Sequence, residues 1–367
     1  MKKRLSIVLA SVMMAALLAG CSQKAATGTK TTAAAETTAE KTTAEETTAE
    51  ETETETEAPA AGGLKTGLAI VSSLESSKDA GEKDGNAQVD SIAVAVVVDA
   101  EGKIVNCMID TAQNKMAFTA EGKVVMKDEF KTKKELGDDY GMKAASGIGK
   151  EWFEQAEALE QYVIGKTADE VAGREIEEIT ETAEAEKTAG VTIKIGSYQE
   201  AVVEAVNNAQ ELGTQEGDKL GLGIITNMNK SKDADGDKEG QCQAYSTYAA
   251  VTIDGDGKIT AAVIDSTQGT VKFDAAGKIT SDLTAGVKTK KQLGDDYGMK
   301  AASGIGKEWF EQAAAMEAYV TGKTADEVAG IAVDEDGKTT DADLAASVTV
   351  SINGYQEVIA KAAAVAR

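Results

Sequence analysis

The sequence predicts an α+β fold that occurs twice in the chain. The first observation is an internal repeat: KTKKELGDDYGMKAASGIGKEWFEQA begins at Lys131 and returns at Lys288 with one change, from Glu135 to Gln292. The second is that apolar strand patterns with glycine-containing turns precede this block in both copies, whereas helical patterns follow. Strands and helices therefore come in separate groups, which favours the α+β class.

Residues 1–20 predict a secretory signal peptide. MKKRLSIVLASVMMAALLAGCSQ has a basic start, an apolar run and small residues before Cys21, a pattern typical of a signal peptide rather than of a membrane-spanning helix. The LLAGC ending resembles the bacterial lipobox, which implies that Cys21 becomes the lipidated first residue of the mature protein. Its acyl chains would then hold the protein on the extracytoplasmic face of the cell membrane. The alternative is a plain signal peptide with an incidental cysteine.

Residues 21–63 predict a disordered stalk that follows the lipidated cysteine. The segment consists mostly of Thr, Ala and Glu and has almost no large apolar side chain. Such a chain cannot bury enough surface to fold, and its like charges favour an extended form. The stalk would lift the rest of the protein away from the membrane.

The repeat divides the remaining chain into two tandem domains, residues 64–212 and 217–367. TGLAIVSSL at Thr66 matches LGLGIITNM at Leu220, and VVVDAEGKIVNCMIDTAQ matches VTIDGDGKITAAVIDSTQ. AGVTIKIGSYQEAV at Ala189 matches ASVTVSINGYQEVI at Ala346. Each copy has the length of an ordinary domain.

Each copy predicts the same order of elements. An apolar strand leads through a polar loop into β-hairpins, whose turns DAEGK, TAEGK, DGDGK and DAAGK each supply a glycine for positive φ. Ser146 is a candidate N-cap for a helix that carries the apolar residues between positions 148 and 163 on one face. TADE at Thr167 and Thr324 predicts capping boxes. VTIKI or VTVSI then predicts a strand before a closing amphipathic helix.

Composition excludes several classes of function. The net charge of −24 argues against nucleic acid and against binding flat on anionic lipid. The absence of histidine excludes His-built metal sites and nucleophile systems that need a histidine base. Redox chemistry would therefore need an organic cofactor. Cys107 and Cys242 occupy non-equivalent positions in the repeats, and a disulfide between them is possible.

One acidic loop resembles a calcium site in part. In KDADGDKEG, the residues Asp233, Asp235 and Asp237 alternate as calcium ligands do, but the sixth and twelfth positions are Lys238 and Ala244 instead of Gly and Glu. The sequence favours a solvated loop, and no metal site is predicted.

The repeated block has two interpretations. Its glycines and lysines in YGMKAASGIGKEW suit phosphate binding at a helix N-terminus, although the spacing is not that of a nucleotide P-loop. Alternatively the segment is a turn and cap, with both tryptophans in the core. Its polar residues are retained while other parts of the repeats have diverged, which favours a shared surface or the wall of a cofactor site. The residues proposed for that wall are Asp139, Tyr140, Lys143, Asp296, Tyr297 and Lys300.

A motif near the end of each repeat resembles the attachment site of FMN-binding domains. In that family an aspartate precedes a flavin-bearing threonine by six residues, in the pattern DxxSGAT. Asp343 stands six residues before Thr349, and Glu186 stands six before Thr192. The Ser-Gly-Ala of the pattern is Ala-Gly-Val in the first repeat and Ala-Ser-Val in the second. The resemblance implies covalent FMN on both threonines; the alternative is a pair of ordinary β-strand threonines.

The whole chain is similar to the PplA-type surface flavoprotein lipoproteins of Gram-positive extracellular electron transfer. The likeness rests on the lipobox, the stalk, the tandem repeats, LGDDYGMKAASGIGKEWFEQ and GKTADEV. It implies two covalent FMN groups per chain, attached by a separate flavin transferase. It also implies that electrons pass from a membrane donor to extracellular acceptors, without catalytic residues of a conventional enzyme. The alternatives are a non-redox surface binding or adhesion lipoprotein with degenerate domains and, less favoured, a solute-binding lipoprotein.

Overall fold

The computed structural model describes residues 63–173 and 195–367. All of them belong to one unit of the chain, Glu57–Arg367. The predicted signal peptide, Cys21 and the stalk up to residue 62 lie outside the described residues, and so do Glu186 and Thr192.

Each repeat contributes one antiparallel sheet with its strands in sequence order. The first sheet contains β1 (Lys65–Ser73), β2 (Gly85–Val98), β3 (Ile104–Phe118) and β4 (Val124–Val125). The second contains β5 (Lys219–Asn227), β6 (Gly240–Ile253) and β7 (Ile259–Phe273). The predicted hairpin turns are confirmed: Gly102 and Gly257 have φ of 77° and 81° between the two long strands of each sheet.

The helices follow the sheets within each repeat. Those of the first repeat are α1 (Lys133–Leu136), α2 (Trp152–Val163), α3 (Ala168–Ala172) and α4 (Gly196–Asn207). Those of the second are α5 (Lys290–Leu293), α6 (Trp309–Val320), α7 (Ala325–Ala329), α8 (Ala342–Ala345) and α9 (Asn353–Ala364). A 3₁₀ turn follows α1 at Gly137–Tyr140 and α5 at Gly294–Tyr297. The structure therefore confirms the α+β class.

The two sheets pack face to face, and helices cover their outer faces. α2 and α4 share a core with the outer face of the first sheet, and α6 and α9 do so with the second. Between the sheets, Leu68 and Ile70 share a core with Leu222 and Ile224, and the rings of Phe118 and Phe273 stack at 4.2 Å. Because both faces of each sheet are covered, β2 is apolar without interruption over residues 92–98.

The single difference within the repeated block lies where the two repeats meet. Glu135 pairs with Lys361 of the second repeat at 2.7 Å, whereas Gln292 donates to the carboxylate of Glu204 in the first repeat at 2.7 Å. Glu204 and Lys361 occupy equivalent positions on α4 and α9. A glutamate at position 292 would therefore face a like charge, and glutamine supplies a hydrogen-bond donor instead.

Two local predictions need correction. Ser146 is not the N-cap of α2: the helix begins at Trp152, and Glu151 forms the capping box with Glu154. The left-handed Gly147 and Gly149 keep the preceding loop out of the helix. Both predicted TADE capping boxes are confirmed, because each threonine side chain accepts the backbone N–H three residues later.

The predicted strand VTVSI is also wrong in the second repeat. Residues 348–352 form no regular strand, and their pairing is limited to an isolated bridge between Lys338 and Ser351. The backbone N–H of Thr349 donates to the side chain of Gln312 instead of to a neighbouring strand. VTIKI of the first repeat lies almost wholly outside the described residues.

The cysteines do not form the disulfide that the sequence allows. Both are free and buried. Cys107 faces the helix layer of the first repeat, while Cys242 lies between the two sheets. Burial raises the pKa of both thiols, to about 12 for Cys242, so neither is a reactive thiolate at neutral pH. Within residues 63–173 and 195–367, no helix is long and apolar enough to cross a membrane.

Candidate functional site

Thr349 is held against the glycine-rich loop that precedes α6. Its hydroxyl lies 2.9 Å from the carbonyl oxygen of Ser303 and 3.2 Å from Oε1 of Gln312, and it can donate to either. Its backbone N–H donates to the same Oε1 at 2.8 Å. The residue is half-buried, so the hydroxyl is fixed in direction but still reachable from solvent.

Gln312 is the side chain that positions this segment. It is fully buried on α6, and its Oε1 also accepts the N–H of Val350 at 3.3 Å. Its Nε2 donates to the carbonyl of Lys307 at 3.4 Å, which satisfies a polar group that burial would otherwise penalise. Sequence reasoning missed this residue. The available signal was a glutamine three positions after Trp309, on the apolar side of the helix, repeated as Gln155.

The glycine-rich loop orders itself around Ser303. The Ser303 hydroxyl donates to the carbonyl of Lys300 at 3.1 Å and accepts the N–H of Lys307 at 3.0 Å. Gly304 and Gly306 between these two lysines have φ of 73° and 66°, which a side chain would strain. This turn aims the Ser303 carbonyl at the Thr349 hydroxyl.

The amides that the sequence suggested for phosphate are occupied by a carboxylate of the protein. Glu308 accepts the N–H groups of Met299 and Lys300, each at 2.8 Å. Glu151 does the same for Met142 and Lys143 in the first repeat. The loop is therefore closed by its own acid, and a phosphate cradle in this part of the loop would compete with it.

Glu308 makes the stability of the second repeat sensitive to acid. Burial opposes its ionisation, but the amides of Lys300 and Met299 outweigh burial and hold the pKa of this carboxyl below its ordinary value. A depressed folded pKa adds stability above the unfolded pKa, and this stability is lost as the pH falls through the folded value. We expect Glu308→Gln to lower the melting temperature at pH 7 and to flatten its fall between about pH 5 and pH 3. Exposed Glu357→Gln is the control, and an unaltered acid profile for Glu308→Gln would contradict this assignment.

Both tryptophans are core residues. Trp309 is 1 % exposed and meets Tyr355 edge-on at 6.4 Å between ring centroids. Trp152 is equally buried and donates from Nε1 to the Tyr198 hydroxyl at 3.0 Å. The interpretation of the tryptophans as anchors of the helix therefore holds. Each indole ring also faces a lysine of the repeated block: Lys133 Nζ lies 5.1 Å from the Trp152 ring centroid, and Lys290 Nζ lies 4.9 Å from that of Trp309.

The six predicted wall residues differ in their burial. Tyr297 is half-buried against Lys290, with 4.7 Å between Nζ and the ring centroid, whereas Asp296 and Lys300 are exposed. In the first repeat, Asp139 and Tyr140 line a cavity, while Lys143 is exposed.

The acid of the predicted attachment motif does not touch the threonine. Asp343 lies exposed on α8, and its side chain makes no hydrogen bond within the described part of the chain. Asp341 does the capping of that helix, because its carboxylate accepts the N–H groups of Asp343 and Leu344. Glu186 and Thr192, the corresponding pair of the first repeat, lie outside the described residues.

Each repeat has a cavity beside the start of its block. The cavities measure ≈ 410 Å³ in the first repeat and ≈ 620 Å³ in the second. Equivalent positions line both: Gln113 and Gln268, Lys115 and Thr270, Lys131 and Lys288, Lys133 and Lys290, Leu136 and Leu293. The repeated block thus has two structural roles. Its first residues line a cavity that is present in both repeats, and its later residues form the glycine-rich loop, which in the second repeat contacts Thr349.

The acidic loop with calcium-like spacing serves the packing between the repeats. Asp233 pairs with Lys123 at 3.3 Å and accepts the N–H of Val124 at 2.8 Å. These bonds hold the loop of the second repeat to the end of the first sheet. Among the residues that the structure describes, no group of three or more His, Cys, Asp or Glu is placed to hold a metal ion.

Comparison with known proteins gives one partial match. A chlorophenol reductase from Desulfitobacterium hafniense is 37% identical over 127 residues, which cover 31% of this chain and 38% of that protein. The chain therefore spans less than half of the length of this curated relative. No protein-family model matches the chain, and no solved structure does.

Proposed function

We propose that this protein is a membrane-tethered extracellular electron carrier that holds FMN covalently on Thr192 and Thr349. The observation that carries the proposal is the environment of Thr349. A threonine of an ordinary strand would bond through its backbone to a neighbouring strand. Thr349 instead bonds through backbone and hydroxyl to Gln312 and Ser303, inside the block that the two repeats share most closely.

The residues at Thr349 fit a phosphoester in two respects. The hydroxyl is half-buried, so a transferase can reach it without unfolding the domain. The backbone on either side is held by Gln312, so the attachment point keeps its direction when the hydroxyl proton is replaced. A rotation of the side chain away from the Ser303 carbonyl would make room for the phosphate.

In this proposal the cofactor and the protein have separate roles. FMN would supply the electron-accepting ring, and the chain would hold it, orient it and limit its contact with water. A covalent bond retains the cofactor outside the cell, where a dissociated flavin would be lost. The partial match to a protein named as a reductase agrees with redox chemistry but covers too little of that protein to carry the proposal.

The function is tested by producing the mature chain with and without a flavin transferase. The carrier proposal predicts a yellow protein in the first case only, with flavin absorbance that survives denaturation. Its colour should bleach with dithionite and return when a soluble electron acceptor is added. A chain that stays colourless beside an active transferase would instead favour a non-redox surface binding protein.

The membrane attachment is tested separately at Cys21. We expect Cys21→Ser to prevent lipidation and release the protein into the medium, because the chain then has no acyl group to partition into the bilayer. Fractionation of cells that express each form, followed by immunoblotting, measures the distribution. An equal release of the unaltered chain would contradict the lipoprotein assignment.

A further inference from the structure

Lys290 is a buried cation whose described contacts are all neutral. The residue is 4 % exposed. Its Nζ donates to the Tyr245 hydroxyl at 2.7 Å and lies 4.6, 4.7 and 4.9 Å from the ring centroids of Tyr245, Tyr297 and Trp309. Aromatic faces attract a cation, but they do not cancel its charge.

No carboxylate among the described residues forms an ion pair with this amine within 4.0 Å. Asp265 acts on it from farther away, and the Asp265 carboxylate is already engaged by the N–H groups of Ser266 and Lys291 at 2.7 and 3.1 Å. The neighbouring Lys291, by contrast, pairs with Glu317 at 2.7 Å. A buried charge without a partner is costly, and burial accordingly lowers the pKa of Lys290 to about 8.

Lys290 is one of the residues that line the ≈ 620 Å³ cavity of the second repeat. Lys288 lines the same cavity, and Gln268, Thr270 and Ser281 add neutral groups that can donate hydrogen bonds. Lys272 also lines it, and so do two acids. Of these, Glu239 lies 3.6 Å from the Lys272 amine, and the Asp282 carboxylate accepts the N–H and the hydroxyl of Thr284 at 2.9 and 2.7 Å. The cavity thus combines three lysines and several neutral donors with two acids that already have partners, and a lining of this kind suits an anion.

The first repeat has an acidic residue where the second has Tyr245. Asp90 stands opposite Gln113 in the strand register, where Tyr245 stands opposite Gln268 in the second repeat. Lys133, the counterpart of Lys290, is only half-buried. The substitution of a neutral tyrosine for an aspartate therefore coincides with the deeper burial of the lysine.

We propose that the cavity at Lys290 is a binding site for a small anion, a compound bearing a phosphate, sulfate or carboxylate group that supplies the missing counter-charge. The anionic group has two sources: the phosphate of a flavin carried by the same repeat, or a free molecule from outside. The site is inferred from the charge and burial of Lys290 and does not depend on flavin attachment.

Sulfate is a suitable probe, because its charge is constant from about pH 5 to pH 10. The titration uses flavin-free protein with Trp152→Phe, which leaves Trp309 as the one tryptophan, 4.9 Å from the Lys290 amine. We expect saturable quenching or a spectral shift of Trp309. Lys290→Met should weaken binding by roughly tenfold or more, since it removes the charge and keeps the length. Lys133→Met is the matched control and should leave binding unchanged.

A second variant keeps the test decisive if Lys290→Met folds poorly. Tyr245→Asp introduces the acidic residue that the first repeat has at this position and gives Lys290 a counter-charge within the protein. Sulfate binding should therefore again fall by roughly tenfold or more. Melting curves establish that each variant is folded. Sulfate binding at parental affinity in both variants, or no binding to the parent, would overturn the proposal.

The pH dependence of sulfate affinity identifies the titrating amine. Around it lie Tyr245 on β6, Asp265 on β7 and Tyr297. The other charged residues that line the cavity are Glu239, Lys272, Asp282 and Lys288. Binding to the protonated amine predicts an affinity that is constant below about pH 7 and falls roughly tenfold per pH unit above pH 8. A flat profile from pH 7 to pH 9.5 would contradict it.

Sulfate binding to flavin-loaded protein identifies the source of the natural anion. If the loaded protein no longer takes up sulfate while the flavin-free protein does, the flavin's own anionic group fills the site. If both take it up, the site serves a free anion. Either result supports an anion site at Lys290. If the protein proves never to carry covalent flavin, the titration of flavin-free protein still tests the site.

Discussion

Thr192→Ala together with Thr349→Ala is expected to give a folded protein without covalent flavin. The substitutions remove the two hydroxyl oxygens that would carry the phosphoester, so the loss should be complete rather than partial. The stability cost at Thr349 should be small, about 1 kcal/mol, because one hydrogen bond from a half-buried hydroxyl is lost. Absorbance after denaturation and intact mass measure the flavin content, and a melting curve confirms folding.

The two single variants show which repeat carries each flavin. Thr349→Ala should retain one flavin per chain, on Thr192, and Thr192→Ala should retain one on Thr349. Ser347→Ala, which removes another hydroxyl two residues away, is the control and should keep both flavins. A double variant that still carries covalent flavin would place the attachment elsewhere in the chain.

Trp309→Ala is expected to lower the free energy of unfolding by about 3–5 kcal/mol, the usual cost of removing a large aromatic side chain from a core. The ring is 1 % exposed and belongs to the cluster that joins α6 and α9 to the second sheet. Chemical denaturation measures the loss. Trp309→Phe should lose less, because phenylalanine fills part of the space.

Substitutions of the polar residues of the block should affect stability much less than Trp309→Ala does. Asp139→Ala, Tyr140→Ala and Lys143→Ala should each cost little stability, since Asp139 and Lys143 are exposed and Tyr140 is half-buried. If they line a flavin site, flavin loading or the midpoint potential should change instead. Unchanged loading and potential in all three would assign these residues to scaffold or partner docking. A Trp309→Ala protein with parental stability would contradict the core assignment.

Features determined by neighbouring residues could be predicted from the sequence. The hairpin turns depend on a glycine with positive φ, and the capping boxes depend on a threonine and a glutamate three positions apart, so a short window is sufficient. The packing of the two sheets depends on contacts such as Leu68 with the Leu222 cluster, between residues far apart in the chain. The uninterrupted apolar run in β2 was the local sign that both sheet faces are covered.

The errors arose where a side chain replaced a backbone partner. Valine and threonine favour strands, but Gln312 takes the N–H of Thr349 and leaves no regular strand there. Ser146 is a suitable cap by type, yet Glu151 and Glu154 satisfy the helix start. The burial of Lys290 was not predicted, because one of the rings that cover its amine belongs to Tyr245, which precedes it by 45 residues.

The most direct test of the central claim is peptide mapping of flavin-loaded protein by mass spectrometry. Trypsin should release residues 339–361, which contain Thr349 and end at Lys361. The account predicts that this peptide carries the mass of FMN less one water, with fragment ions that place it on Thr349. An unmodified 339–361 peptide from a protein that carries covalent flavin elsewhere would contradict it.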